Sequence, residues 1–332
     1  MTSSRTRARA RSGAEPDGET REVEITWAVL AALFQFRIAT AEQLRRLTAP
    51  DAGVEKMRAR LRRLRAEGLA AELVLVLVLV LVLPQSGRTR GWFLTEHGVR
   101  IAGAFPELAD IPAPRTPGDE TAFKYTVWHQ LAVVRTHLTF LTDARERGDA
   151  YGPFDFVPEV THRFAEGKEG TVRPDGLVHY TRHTDNGLVN NTAFVELDRG
   201  TTGGIRLAAK LHAYARYWST APLPAGMRAG TIEAVQGGRR PLWERRYMRF
   251  PRLLFVLTGT GDTGFGNRCR QLELTARSHQ VARMLQTVPA GVASLEDLET
   301  DGPGADNWWP ITDLDSGPVP WWELVGTKPD QR

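Results

Sequence analysis

Apolar positions recur at helical spacing three times near the start of the chain. In residues 24–36, Val29, Leu33 and Phe36 share a face that Trp27 and Leu30 widen. Thr40-Ala41-Glu42-Gln43 has capping-box spacing, and Leu44 and Leu47 supply the buried side of the helix it opens. A third pattern, about residues 54–67, sets Met57, Leu61 and Leu64 in line, and Gly68 stands where a left-handed cap would close it. The period then changes to two. From Leu73 to Leu83 the chain alternates Leu and Val. As a helix this run would rise only about 16 Å, short of the roughly 30 Å hydrocarbon core of a bilayer. As a strand it puts every Val on one face and every Leu on the other. The partner strand, Thr89 to Leu94, is about half as long. The excess therefore reads as a dipeptide expansion in a hairpin, an elongated and partly unpaired strand. Its register is weakly specified, because a slip of two residues leaves every side chain facing the same way.

Between residues 103 and 120, Pro106, Pro112, Pro114 and Pro117 interrupt any period, which predicts a linker. Beyond it the pattern predicts a helix over 121–147 that buries Leu131, Val134, Leu138 and Leu141. Strands follow at about 154–164, 171–180 and 192–199, then a helix at 204–219, a strand at 252–258, a helix at 268–286 and a strand at 293–298. This order predicts an α/β (α+β) protein with a mixed sheet flanked by helices. The expected organisation is a disordered basic arm (1–20), a helical front unit with a hairpin (21–103), a linker (104–120), an α/β unit (121–300) and a Trp- and Pro-rich tail (301–332). Trp308-Trp309 and Trp321-Trp322 of that tail are expected to pack on the body. The glycines of 258–267 are expected to form a surface loop, since no Gly-Lys-Ser/Thr follows to make a phosphate loop.

Charge sharpens the front half. Residues 1–100 hold 17 Lys and Arg against 11 Asp and Glu, whereas the whole chain carries a formal +4. The basic excess concentrates on the third helical pattern, where Lys56, Arg58, Arg60, Arg62, Arg63 and Arg65 face only Glu55 and Glu67. Their mutual repulsion would be answered by a phosphate backbone. Three helices and a hairpin make up a winged helix-turn-helix whose third helix enters the major groove. Those six residues, with Arg88 and Arg90 of the hairpin, are thus the candidate contacts to double-stranded DNA. The single cysteine, Cys269, excludes a disulfide framework and a cysteine-cluster zinc site, and fits a reducing cytoplasm. The N-terminal arm has arginines but no apolar run, so a secretory signal is not expected.

The acidic candidates lie in the back half. In "NTAFVELDRG", Phe194, Glu196 and Asp198 share a strand face, and Asp175 of "RPDG" ends a turn into its own strand. Arg206, Lys210 and Tyr214 fall at four-residue spacing on the helix that follows. Asp175 and Glu196 could hold one hard divalent cation such as Mg²⁺, with Lys210 orienting the attacking water or neutralising a phosphate. Asp175 could instead be an ordinary turn aspartate, and Glu196 and Asp198 could pair with Arg173, Arg206 and Lys210 in a buried ionic network. His129, near the start of the helix over 121–147, is expected to be a structural group.

The helix, three strands, helix, strand order over residues 121–260, with Asp175 and Glu196 at its acidic positions, resembles the PD-(D/E)xK nuclease superfamily. That superfamily's lysine two residues after the glutamate is Asp198 here, and Lys210 is the candidate for a migrated lysine. Taken with "GWFLTEHGVRIAG", the motifs "RPDG", "AFVELDRGT" and "KLHAYARYW" resemble the replication-relaxation family of plasmids and other mobile elements. The resemblance implies a DNA-binding protein of plasmid replication, DNA relaxation or transfer. The enzymatic candidate is a Mg²⁺-dependent DNA nickase using Asp175, Glu196 and Lys210. The alternative is a non-catalytic replication or transcription regulator with a vestigial nuclease fold. A second copy of the chain or replication and transfer proteins would be its further partners.

Overall fold

Thr40 caps its helix as the spacing predicts: its hydroxyl accepts from the Gln43 backbone N–H at 3.1 Å, and Gln43 Oε1 accepts from the Thr40 N–H at 2.9 Å. The computed structural model describes residues 18–75, 89–109, 111–114, 120–167, 169–200, 205–221 and 240–327. In the front unit, helices α1 (Gly18–Phe36), α2 (Ala41–Thr48) and α3 (Val54–Ala66) are followed by strands β2 (Ala70–Leu75) and β3 (Thr89–Leu94) and helix α4 (Glu96–Ala102). A two-residue strand β1 (Ala39–Thr40) joins the far side of β3, giving the order β1-β3-β2. Gly68 takes φ +71°, so α3 ends in the left-handed turn that a glycine there allows. Of the Leu-Val run, Leu73, Val74 and Leu75 pair with Gly91, Arg90 and Thr89. Leu73 packs inward against Ile38 and Leu131, whereas Val74 is exposed. The rest of the run, Arg88 and the basic arm up to residue 17 lie outside the described residues.

The back half is a mixed six-stranded sheet ordered β11-β10-β9-β8-β7-β4. Its strands are β4 (Phe156–Pro158), β7 (Gly176–Thr184), β8 (Gly187–Asp198), β9 (Arg252–Leu257), β10 (Ala290–Ser294) and β11 (Trp309–Pro310). Strands β8, β9 and β10 are parallel, and the flanking pairs are antiparallel. Helix α5 (Glu120–Arg147) covers one face and α6 (Ile205–Ser219) the other. Alternation along β8 sends Val195 and Leu197 to the α5 side and Phe194 to the α6 side.

Several boundaries differ from the pattern. The expected strand 154–164 breaks after Pro158, where Glu159 turns at φ +55°. His162 and Arg163 (β5) instead pair with Thr171 and Val172 (β6) in a separate ribbon. The expected helix 268–286 is two helices, α7 (Gly261–Ala276) and α8 (His279–Leu285). The glycine-rich stretch is therefore helical from Gly261 and not a loop, because burial of Cys269, Leu272 and Ala276 further along α7 outweighs its poor helix propensity. The expected strand 293–298 stops at Ser294, whose hydroxyl caps helix α9 (Leu295–Asp301).

A continuous hydrophobic core joins the two halves. Leu33 and Phe36 of α1, Leu44 of α2, Val134 and Leu138 of α5, and Val195 of β8 belong to one buried cluster. The tail closes over it. Trp308 and Trp321 are fully buried, and the Trp322 ring stacks under the Arg182 guanidinium, 4.2 Å from its centroid. Among the described residues, no helix is long and apolar enough to cross a membrane.

Candidate functional site

Asp175 sits at the entry to β7, where helices from both faces of the sheet reach it. Its Oδ1 meets His129 Nε2 of α5 at 3.0 Å. Its Oδ2 accepts from Lys210 Nζ of α6 at 3.1 Å and from the Leu197 backbone N–H of β8 at 2.8 Å. Glu196, one residue before that N–H, points to the α6 face. Lys210 Nζ also donates to Glu196 Oε2, and the Tyr214 hydroxyl, one turn further along α6, donates to Glu196 Oε1 at 2.6 Å. Asp175, Glu196 and Lys210 thus converge as the sequence predicts, with Tyr214 beside them. His129 is drawn in as well. Only the packing of α5 against the sheet brings it there, and nothing local in the 28-residue helix marks it out from His137.

Burial governs the electrostatics. The Glu196 side chain is 3% exposed. Desolvation pushes its carboxyl up to about 7, with Lys210 working against the rise and Asp175 adding to it. Asp175 is also desolvated, yet the His129 hydrogen bond, Lys210 and the Leu197 N–H together hold it well below the usual carboxylate range. Burial disfavours the Lys210 charge, but Glu196 and Asp175 outweigh that and hold its ammonium above the ordinary lysine value. Asp198, at the position of the superfamily's lysine, is engaged by Arg268 Nε of α7 at 2.9 Å and takes no part in the cluster.

Two carboxylates close enough to share one ammonium are close enough to share one hard cation. The oxygen donors suit Mg²⁺, which commonly takes one or two carboxylates and fills its shell with water. Among the described residues, no group of three His, Cys, Asp or Glu side chains is arranged to hold a metal. A cation here would be held by Asp175 and Glu196 alone.

On α3, Met57, Arg60, Leu61 and Leu64 form the buried side. Arg60 departs from the expected basic surface. Its side chain is 7% exposed and pairs with Glu22 of α1. The outward stripe is Arg58, Arg62 and Arg65, flanked by Lys56 and Arg63, all exposed. Arg58 pairs with Glu55, and Arg65 shares Glu72 of β2 with Arg90 of β3. Part of this basic surface is therefore answered by the protein's own acids, through pairs whose arginines are more than half exposed. The Arg58–Glu55 pair, exposed on both sides, contributes about 0–1 kcal/mol, whereas Glu72 is largely buried beneath its two arginines.

A family model described as "Replication-relaxation" matches residues 30–227, which includes α2, α3, the hairpin, Asp175, Glu196 and Lys210. None of the curated proteins matches the chain. Among solved structures, the chain is similar to "structure of restriction endonuclease FokI bound to DNA", at 10% identity and a TM-score of 0.26, covering 92% of this chain and 46% of that one. The chain spans under half of that protein, and a likeness so slight carries no argument.

Proposed function

The chain belongs to the replication-relaxation family, and from that membership we propose that it is a double-stranded-DNA-binding protein of mobile-element replication whose buried acidic cluster is a divalent-metal-dependent nicking centre. The front unit, three helices and a three-stranded sheet with α3 facing outward, is a winged helix-turn-helix in this reading. Arg62, Arg63 and Lys56 then meet phosphates directly, and Arg58, Arg65 and Arg90 meet them by releasing Glu55 and Glu72.

The observation that carries the nicking centre is the convergence of Asp175, Glu196 and Lys210 from a turn, a strand and a helix on one buried point. A PD-(D/E)xK-like site needs two oxygen ligands and one cationic group within reach of the same phosphate. A bound Mg²⁺ would supply Lewis-acid charge and an activated water there. Asp175 and Glu196 would hold it, Lys210 would present its ammonium to the phosphate, Tyr214 would fix the Glu196 carboxylate, and His129 that of Asp175.

A second reading has its own observation. Each of the four carboxylate oxygens of Asp175 and Glu196 already has a partner in the chain. A site so satisfied also suits a non-catalytic regulator in which the cluster pins the sheet to α5 and α6. Incubation with supercoiled plasmid and Mg²⁺ or Mn²⁺, beside Asp175→Ala and Glu196→Ala, separates the two. Nicking by the parent that both variants lose supports the nicking centre. No nicking with duplex binding retained supports the regulator, and equal nicking by all three proteins marks a contaminant and removes the proposed site.

A further inference from the structure

Among the described residues, two that are not glycine have positive φ: Arg37 at 69° and Glu159 at 55°. They touch each other. An Arg37 guanidinium nitrogen donates to Glu159 Oε2, and an Arg173 nitrogen donates to the same oxygen. Backbone in this region persists only where its surroundings over-determine it, and such residues concentrate at ligand clamps. One of these arginines lies at the junction of α1 and β1. The other lies two residues before Asp175. Two cations thus share a single anion, and none of the three side chains is buried: Arg37 is 33% exposed, Arg173 50% and Glu159 30%.

The trio stands beside Asp175. Arg37, Glu159, His129 and Asp175 line one pocket, and the Glu159 N–H donates to the Asp175 carbonyl at 3.4 Å. Gln35 lines it too, with a buried Oε1 that has no partner among the described residues. The orientation of that amide is fixed, because its Nε2 donates to the carbonyls of Pro153 and Phe156. An acceptor is thus left unsatisfied in the pocket that Arg37 lines, and the guanidinium forks of Arg37 and Arg173 on Glu159 suit an oxyanion.

We propose that Arg37 and Arg173 are a phosphate-binding pair beside Asp175, and that the Glu159 carboxylate holds the place a phosphodiester of bound DNA takes. Guanidinium groups bind carboxylate and phosphate with the same fork geometry, and a half-exposed pair exchanges one for the other at little cost. Because Arg37 leads directly from α1 into β1 and α2, the pair lies on the front unit's side of the cluster. This inference rests on the DNA-binding reading above.

The test compares the parent, Glu159→Gln and Glu159→Gln with Arg173→Gln for duplex affinity across a salt series, with Arg62→Ala/Arg63→Ala as the separate check on α3. Freeing the pair should tighten binding several-fold at low salt and steepen the salt dependence by about one to two phosphate contacts. The added Arg173→Gln should cancel most of the gain. Inorganic phosphate should also raise the Tm of Glu159→Gln more than that of the parent, by mass action on the vacated pair. Unchanged affinity and slope in Glu159→Gln, or a gain that survives Arg173→Gln, overturns the proposal, as does an equal phosphate response in both proteins. Failure of the α3 reading alone is distinct: Arg62→Ala/Arg63→Ala then binds as the parent does, while Glu159→Gln still responds to phosphate.

Discussion

The Gln43 side-chain amide donates to the Leu131 carbonyl at 2.9 Å, joining α2 of the front unit to α5 of the back half. The same side chain closes the α2 capping box through its Oε1, so a single residue serves a local and a long-range purpose. Gln43→Ala should cost about 1–3 kcal/mol, from the lost Oε1 acceptor of the Thr40 N–H and the lost hydrogen bond to α5. Since Phe36, Leu44 and Val134 lie in one core, the described halves should also melt together. Calorimetry should show one transition with matching calorimetric and van't Hoff enthalpies. Two resolved transitions would refute the shared core.

Arg60 and its neighbours on α3 should respond oppositely to substitution. Arg60→Ala removes a nearly buried stem and its pair with Glu22, lowering stability by about 1–2 kcal/mol while leaving the salt dependence of duplex binding nearly unchanged. Arg62→Ala with Arg63→Ala touches exposed side chains. It should leave Tm within about 1–2 °C of the parent and reduce the salt slope by about two. Paired melting and binding curves would decide; a slope lost with Arg60 and kept with the double variant would move the DNA surface.

Two buried groups should pull stability in opposite directions with pH. Burial raises Glu196 to about 7 from an ordinary 4.5, so the native state binds its proton more tightly. The stability it contributes is complete below about 4.5 and is lost as pH rises through about 7. Burial depresses His137 to about 3 from an ordinary 6.5, and its ring sits against Phe36 and Phe156 with Nδ1 on the Tyr151 hydroxyl at 2.8 Å. Its contribution is complete above about 6.5 and is lost as pH falls toward about 3. Relative to the parent, Glu196→Gln should gain stability as pH rises from 5 to 7, and His137→Phe should gain it as pH falls through that window, each by roughly 1–3 kcal/mol. Melting temperatures against pH would reveal the sign, and parallel curves would contradict both assignments.

Gly176, next to Asp175, admits no side chain. A Cβ there would lie 2.0 Å from Phe156 Cζ, and that ring is fully buried. Gly176→Ala should destabilise by about 1–3 kcal/mol or more through overpacking and should displace Asp175 from His129. A thermal melt within error of the parent would show that the β4–β7 pair can part without penalty.

The glycine also shows how far the sequence was legible. Short-range devices could be read from the chain because their causes are local: the Thr40–Gln43 box, the left-handed Gly68, and the alternation that puts Glu196 opposite Val195. The pairing of Asp175, Glu196 and Lys210 was legible too, since strand and helix periods fix which side chains share a face. Arg60 was not, because its spacing matches that of the outward arginines and only α1 turns it inward. His129 was missed for the same reason.

By itself, then, the sequence determined most of the helices and strands, where the basic helix lies and that Glu196 faces α6. Those properties follow from backbone periodicity and neighbouring side chains. Only the tertiary structure decided that the two halves share a core, that glycine-rich residues 261–267 join a helix, and that Arg37, Glu159 and Arg173 meet beside Asp175. Each depends on surfaces far apart in the chain excluding water together, and burial free energy of that kind is recorded in no single stretch of residues.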